Sequence, residues 1–297
     1  MKTVIKLSLI LLIAVINLNA RDYRPTVLIR ANWGSADAEF GLRLEAEGNC
    51  PQALAVADDG TLAILDPVNN RVQLFSPKGR WQGKFPIASG IFDIGFQRNQ
   101  VILLAPYDYF VARYSRDGEL IEKTNINRQI VLIDGLRVGE DGVGVQTIDQ
   151  VQYSVNKNSP PEQIASAKPG ASSRIAGQSV QTQWIAPRQG QVIIKNKRSA
   201  KTQSILIATD AELGSLVFLD SDLNGNIFVR KELFSADGTT YFEVDKFDPN
   251  GALRATIRIE HENIVMPFKP ITIDQHGNIY FLEINSDGFS VIQWQEK

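Results

Sequence analysis

The chain has 297 residues, with 31 Lys plus Arg against 33 Asp plus Glu, 43% hydrophobic and 22% charged residues, which fits one large globular domain or two ordinary ones. A formal net charge of -2 supplies no field able to hold a polyanion, and this argues against nucleic-acid binding as the main task. Two histidines and one cysteine are few groups for proton transfer, thiol chemistry or soft-metal binding.

Met1 to Ala20 reads as a secretory leader: Lys2 and Lys6 precede an apolar run from Leu7 to Ile16, and a more polar stretch ends in a small residue. Cleavage is expected after Ala20, although Leu18 is larger than the residue usual at its position, which allows a displaced site. The alternative is an uncleaved anchor, for which the run is short against roughly 30 Å of hydrocarbon. No cysteine follows the run to accept a lipid. The expectation is a periplasmic or secreted protein with no transmembrane segment in the mature chain. Cys50 has no partner for an internal disulfide and reads as a small buried filler at a strand entrance.

Residues 51–85 carry the clearest pattern. The runs QALAVADDG, TLAILDPVNN, RVQLFSPKGR and WQGKF are each a short apolar or alternating segment, and Gly, Asn, Asp or Pro separates one from the next. This predicts an antiparallel meander with tight turns at Asp59-Gly60 and Pro77-Lys78-Gly79. Weaker copies follow along the chain, and the first hairpin turn of each falls near Gly60, Asn99, Gly142, Gly190, Gly225 and Gly277. Six units of about 45 residues, each a small sheet unable to bury both faces alone, predict radial packing into an all-β, six-bladed β-propeller over residues 21–297. No window shows a sustained helical apolar period. A polar stretch at about 156–177, with three prolines and no strand-like pattern, falls between the third and fourth units; it reads as an exposed excursion or as a segment that orders against a partner.

The first unit, with Leu54-Ala55-Val56-Ala57-Asp58-Asp59-Gly60, Leu65-Asp66 and Asn70-Arg71-Val72-Gln73-Leu74-Phe75, resembles the NHL β-propeller repeat. Pro270 to Tyr280 is similar to the opening half of the same repeat, and Leu219 to Phe228 matches it more loosely. The resemblance covers about a third of the chain. It implies the six-bladed fold, whose relatives include protein-binding modules, sugar or RNA binders, and some metal-dependent lactonases and lyases.

A metal-dependent hydrolase or lyase of the lactonase-like type needs convergent oxygen and nitrogen ligands in the channel. His261 and Glu262, with Glu283, are the weak candidates for such a set, and a hard ion such as Ca2+ held by carboxylates among Asp66, Asp108, Asp220, Asp222 and Glu283 is a second form of it. Strand-end carboxylates are common structural features, so no catalytic residue, no metal and no cofactor is assigned. For binding, Tyr107 and Tyr109 beside Pro106 are candidate exposed contacts, and the basic run containing Lys195, Lys197 and Arg198 is a candidate attractor of acidic partners. Most tryptophans are expected between blades. The preferred reading is an exported binding or scaffold protein, monomeric by itself, whose partner is an envelope or extracellular protein.

The last unit supplies only three strands, while Thr26 to Trp33 is a lone strand ahead of the first unit, so the two should join to close the ring. Deleting residues 22–34 is expected to lower the melting temperature of the whole ring and to promote oligomerisation, as read by thermal melting and gel filtration.

Overall fold

A computed structural model describes residues 23–45, 49–139, 142–155, 168–169, 171–172, 178–196 and 201–297. The leader Met1 to Ala20, together with Lys197 and Arg198, lies outside the described residues. The described chain is built from strands and forms six four-stranded antiparallel sheets. Taken in chain order, blade 1 runs from Ala53 to Pro86, blade 2 from Asp93 to Asn125, blade 3 from Ile133 to Pro169, blade 4 from Ala171 to Ala208 and blade 5 from Glu212 to Glu260. Blade 6 takes its first three strands from Ile271 to Glu296 and its outer strand from Tyr23–Ala31, at the other end of the sequence. The fold is a six-bladed β-propeller.

Closure runs in an antiparallel register from Tyr23 opposite Glu296 to Ala31 opposite Phe289, broken by one bulge between Val27 and Ile29. The segment after this strand then crosses to blade 1 and is fixed there. Phe40 is fully buried against Phe75 of blade 1 and Phe289 of blade 6. Asp66 and Arg71 form a buried ion pair at 2.9 Å. The remaining Arg71 donors reach the Ser35 and Glu39 carbonyls at 2.8 and 2.7 Å, and the Gly41 N–H donates to Asp66. One ion pair thus binds three backbone groups of the crossing segment, with its charges satisfied on both sides.

Turns of one kind recur. In Asp274–Asn278, the Asp274 N–H donates to the Asn278 carbonyl, Gly277 N–H returns to Asp274, and the Asp274 carboxylate accepts from the His276 and Asn278 N–H groups. Asp222–Asn226 and Asp248–Ala252 repeat this pattern. Gly277 has φ 81°, and a Cβ there would lie 2.9 Å from the Phe228 ring, so both conformation and space require glycine.

Between blades the packing is apolar. Blades 1 and 2 meet through Leu65, Val72, Ile94 and Leu103, and blades 5 and 6 through Phe228, Phe242, Ile273 and Phe281. Cys50 belongs to the core between blades 6 and 1, where burial pushes its thiol up to about 12 and leaves it protonated and unreactive.

The structure departs from the sequence reading at blade 4. The turn near Gly190 joins Gln178–Ala186 to Gln189–Asn196, the second and third strands of the blade. Its first strand is Ala171–Ser172, and the last strand of blade 3 is Lys168–Pro169, both within the stretch read as strandless. Two-residue strands carry no alternation for a sequence pattern to show. The tryptophans also depart from expectation. Trp294 is buried, but Trp184 is 54% exposed at a strand end and Trp81 lies half-open on an outer strand, which has no fifth strand to cover it.

Arg71→Ala leaves Asp66 buried without its counter-charge and is expected to cost about 3–5 kcal/mol. Chemical denaturation of the two proteins measures the difference.

Candidate functional site

The first strand of each blade faces the axis, and a cavity of about 250 Å³ sits among those of blades 1, 2, 3, 5 and 6. Its walls combine apolar side chains such as Val56, Ile94 and Phe218 with Asp93, Asp134, Arg137, Asp220, Arg230 and Lys269. The charges are balanced. Asp93 is almost fully buried, accepts from its neighbour Ile94 N–H and from Leu136 N–H of blade 3 at 2.8 Å, and meets Lys269 Nζ at 3.4 Å. It therefore ties the inner strand of blade 2 to blade 3 and to the connection that enters blade 6.

Arg137 reaches past blade 4. Its Nε donates to Gln146 at 2.7 Å, and its Nη1 donates to the Leu219 carbonyl of blade 5 at 3.3 Å. Burial pulls the guanidinium below its ordinary range, opposed by Asp220, Asp93 and Asp134, and an arginine remains charged throughout. Asp134 is exposed on the channel wall, and partial desolvation raises its carboxyl against the pull of Arg137.

The two faces of the disc differ. The turns between first and second strands and between third and fourth strands form a polar belt on one face: Leu223 N–H donates to the Gln275 carbonyl, the Gln275 amide to the Asp58 carbonyl, and Arg116 of blade 2 pairs with Asp59 of blade 1 at 2.7 Å. The opposite face, carrying the connections between blades, is apolar at its loops. Tyr107 is 77% exposed there, with Leu132, Val131, Ile148, Ile264 and Met266 also open. Phe92 packs edge-on against Tyr107 at 5.2 Å and Phe268 at 6.2 Å, making one aromatic patch from the blade 1–2 connection, blade 2 and the blade 5–6 connection. Lys269 follows directly, at the mouth of the cavity. Isolated exposed apolar side chains are ordinary; here several gather on one face.

The residues singled out from the sequence are dispersed. Tyr107 lies in the aromatic patch against Phe92, while Tyr109 is half-buried at φ 55° beside Arg128. Lys195 is partly buried on a blade 4 strand, in register with Thr202. His261 stacks on Phe242 at 4.8 Å and lies 5.8 Å from Phe281; Glu262 is exposed, and Glu283 lies on a second strand opposite Ser290. Among the described residues no three His, Cys, Asp or Glu side chains converge to hold a metal ion. Of the five carboxylates read as ending inner strands, only Asp220 and Asp222 do so; Asp66, Asp108 and Glu283 belong to second strands or follow them. The channel charges Asp93, Asp134, Arg137, Arg230 and Lys269 escaped the sequence reading, since no local spacing sets four separate segments around one axis.

No family model matches the chain, and no curated relative does. Solved structures do resemble it. A DUF4221-family protein from Bacteroides vulgatus aligns with a TM-score of 0.53 at 8% identity, covering 94% of this chain and all of that one. A streptogramin B lyase aligns at 0.44 with 9% identity over 93% of this chain and 99% of its own, and a luciferin-regenerating enzyme at 0.48 with 12% identity over 82% and 91%. At these identities the likeness is one of fold. No helix among the described residues is long and apolar enough to cross a membrane.

Burial against Phe242 and Phe281 lowers the His261 pKa, with Glu232 opposing. The unfolded chain therefore binds this proton more readily than the folded one, and the stability given by the neutral ring is lost as pH falls through the ordinary histidine range near about 6.5. The melting temperature is expected to drop between about pH 7.5 and 5.5, and His261→Phe to flatten that part of the profile.

Proposed function

We propose that the chain is an exported binding propeller that docks a protein of the cell envelope or exterior through the aromatic face around Tyr107. The observation that carries this reading is the asymmetry of the disc, with Tyr107, Phe92 and Phe268 gathered at one face and a polar belt of Asp-capped turns on the other. Rigid aromatic side chains at the centre of a patch are the groups from which interface energy usually comes. The blades hold them in place at little entropic cost on binding. Export is supported by the charged and apolar order of residues 1–20, and the NHL-like first and last blades fit a module used for protein contact. The basic run Lys195, Lys197 and Arg198 would supply a separate, electrostatic contact.

A lactonase-like hydrolase has less support. Its chemistry asks for acidic ligands free to converge on an ion, whereas Asp93 is committed to two backbone N–H groups and Lys269, and Asp220 and Asp134 face Arg137.

Chemical cross-linking in the exporting cell, followed by purification of the chain, tests the docking face. The double substitution Tyr107→Ala and Phe268→Ala is expected to reduce capture of the partner at least about tenfold, as loss of roughly 2 kcal/mol per central aromatic implies, with melting unchanged. Equal capture by the variant would place the contact elsewhere.

A further inference from the structure

The outermost strand of each blade ends its sheet at the rim of the disc, and a free strand edge invites pairing with another chain unless something blunts it. Five of the six edges are blunted. Tyr23–Ala31 carries Arg24, Pro25 and Arg30, Trp81–Pro86 carries Lys84 and Pro86, Leu120–Asn125 carries Glu122 and Lys123, and Leu253–Glu260 carries Arg254, Arg258 and Glu260. A bulge interrupts the pairing of each of these strands with its neighbour, and the outer strand of blade 3 is only Lys168–Pro169. Lys201–Ala208 of blade 4 differs. It pairs with Gln189–Asn196 along its whole length without a bulge, contains no Pro or Gly, and has no charge after Lys201.

The register tells which of its backbone groups lie open. Thr209 N–H donates to the Arg188 carbonyl, so the odd-numbered residues of the strand bond inward, and Thr202, Ser204, Leu206 and Ala208 turn their N–H and C=O groups to the rim. No described residue bonds these groups. The side chains of the same residues are exposed, Leu206 at 63%.

We propose that this edge pairs antiparallel with the same edge of a second copy of the chain, about a two-fold axis at Ile205, so that the two fourth blades become one continuous sheet. Thr202 then lies opposite Ala208 and Ser204 opposite Leu206, and every open N–H of one copy meets an open C=O of the other. Charge sets the direction. Antiparallel order brings the exposed Lys201 of each copy beside the exposed Asp210 of the other, just past the strand end, whereas parallel order in register would set Lys201 against Lys201. A two-fold axis supplies that complementary pair at both ends, which the edge of a foreign strand would have to match by its own sequence. The contact lies at the rim and leaves the face around Tyr107 free.

Sedimentation equilibrium of the purified chain from about 1 µM to about 1 mM tests this, with a reversible dimer as the expected result. Leu206→Pro removes an outward N–H that makes no inward bond, and Leu206→Lys puts a charge on the edge. Each is expected to weaken dimerisation at least about tenfold with melting unchanged. Lys201→Asp or Asp210→Lys alone is expected to weaken it about threefold or more, and the two together to restore it. The double substitution Tyr107→Ala and Phe268→Ala should dimerise as the parent does, which separates this contact from docking at the aromatic face. A chain that stays monomeric up to about 1 mM, as the sequence reading has it, overturns the proposal, even where the edge accepts an extended segment of another protein. So does a dimer that neither Leu206 substitution weakens, that exchanged charges do not restore, or that the aromatic variant abolishes.

Discussion

Pairing of Tyr23–Ala31 with Gly288–Glu296 is the interaction on which the rest of the molecule depends. A ring of sheets buries the faces of every blade only when the first and last are held together, and an open ring would expose two apolar blade faces and an unpaired strand edge. Strand pairing supplies the direction of closure. The Asp66–Arg71 pair, by holding Ser35, Glu39 and Gly41, supplies its position. Phe40 completes the joint by filling the space between Phe75 and Phe289. Because both charges of the pair are met by backbone groups as well as by each other, the joint places a charged pair in an apolar setting without leaving an orphan.

Closure also creates the two unlike faces. Short turns with Asp at the start and Gly in the left-handed conformation satisfy their own backbone, and this lets them lie side by side as a polar belt. The connections on the other face must travel from an outer strand back to the axis. They are longer and carry apolar side chains, some of which turn inward, as Ile91 and Ile130 do, while Leu132 and Phe268 stay open beside Tyr107 of the blade 2 hairpin. The channel beneath them is charged yet nearly balanced, since carboxylates and cations from separate blades face one another across it.

Much of the architecture was legible because the signals are local. A turn such as Asp274–Asn278 states its conformation within five residues, and the recurrence of such turns gave the number of blades and the shared last blade. Blade 4 was read out of phase because Arg188 to Gly190 looks like any other hairpin turn, while Ala171–Ser172 is too short to show a period. Trp81 and Trp184 were misplaced for a related reason: alternation tells which side of a strand a residue occupies but not whether another blade covers that side. Tyr107 was found because a proline and a loop pattern mark it. Asp93, Asp134, Arg137, Arg230 and Lys269 were not, since they become neighbours only after the ring has closed.

The register of blade 6 has a consequence for the order of assembly. Tyr23 lies opposite Glu296, so the outer strand of the last blade is made long before the strand it pairs with. Blades 1 to 5 pair within themselves and can form as the chain emerges, but the final pairing is the contact of greatest sequence separation and must wait for nearly all of them. During that interval Tyr23–Ala31 is a free edge, open to the wrong chain. Its middle residues Arg24 to Val27 are solvent-facing in the finished blade, and Arg24, Pro25 and Arg30 along it are of the types that discourage sheet growth. The same strand that seals the ring is thus suited to remaining single until its partner arrives.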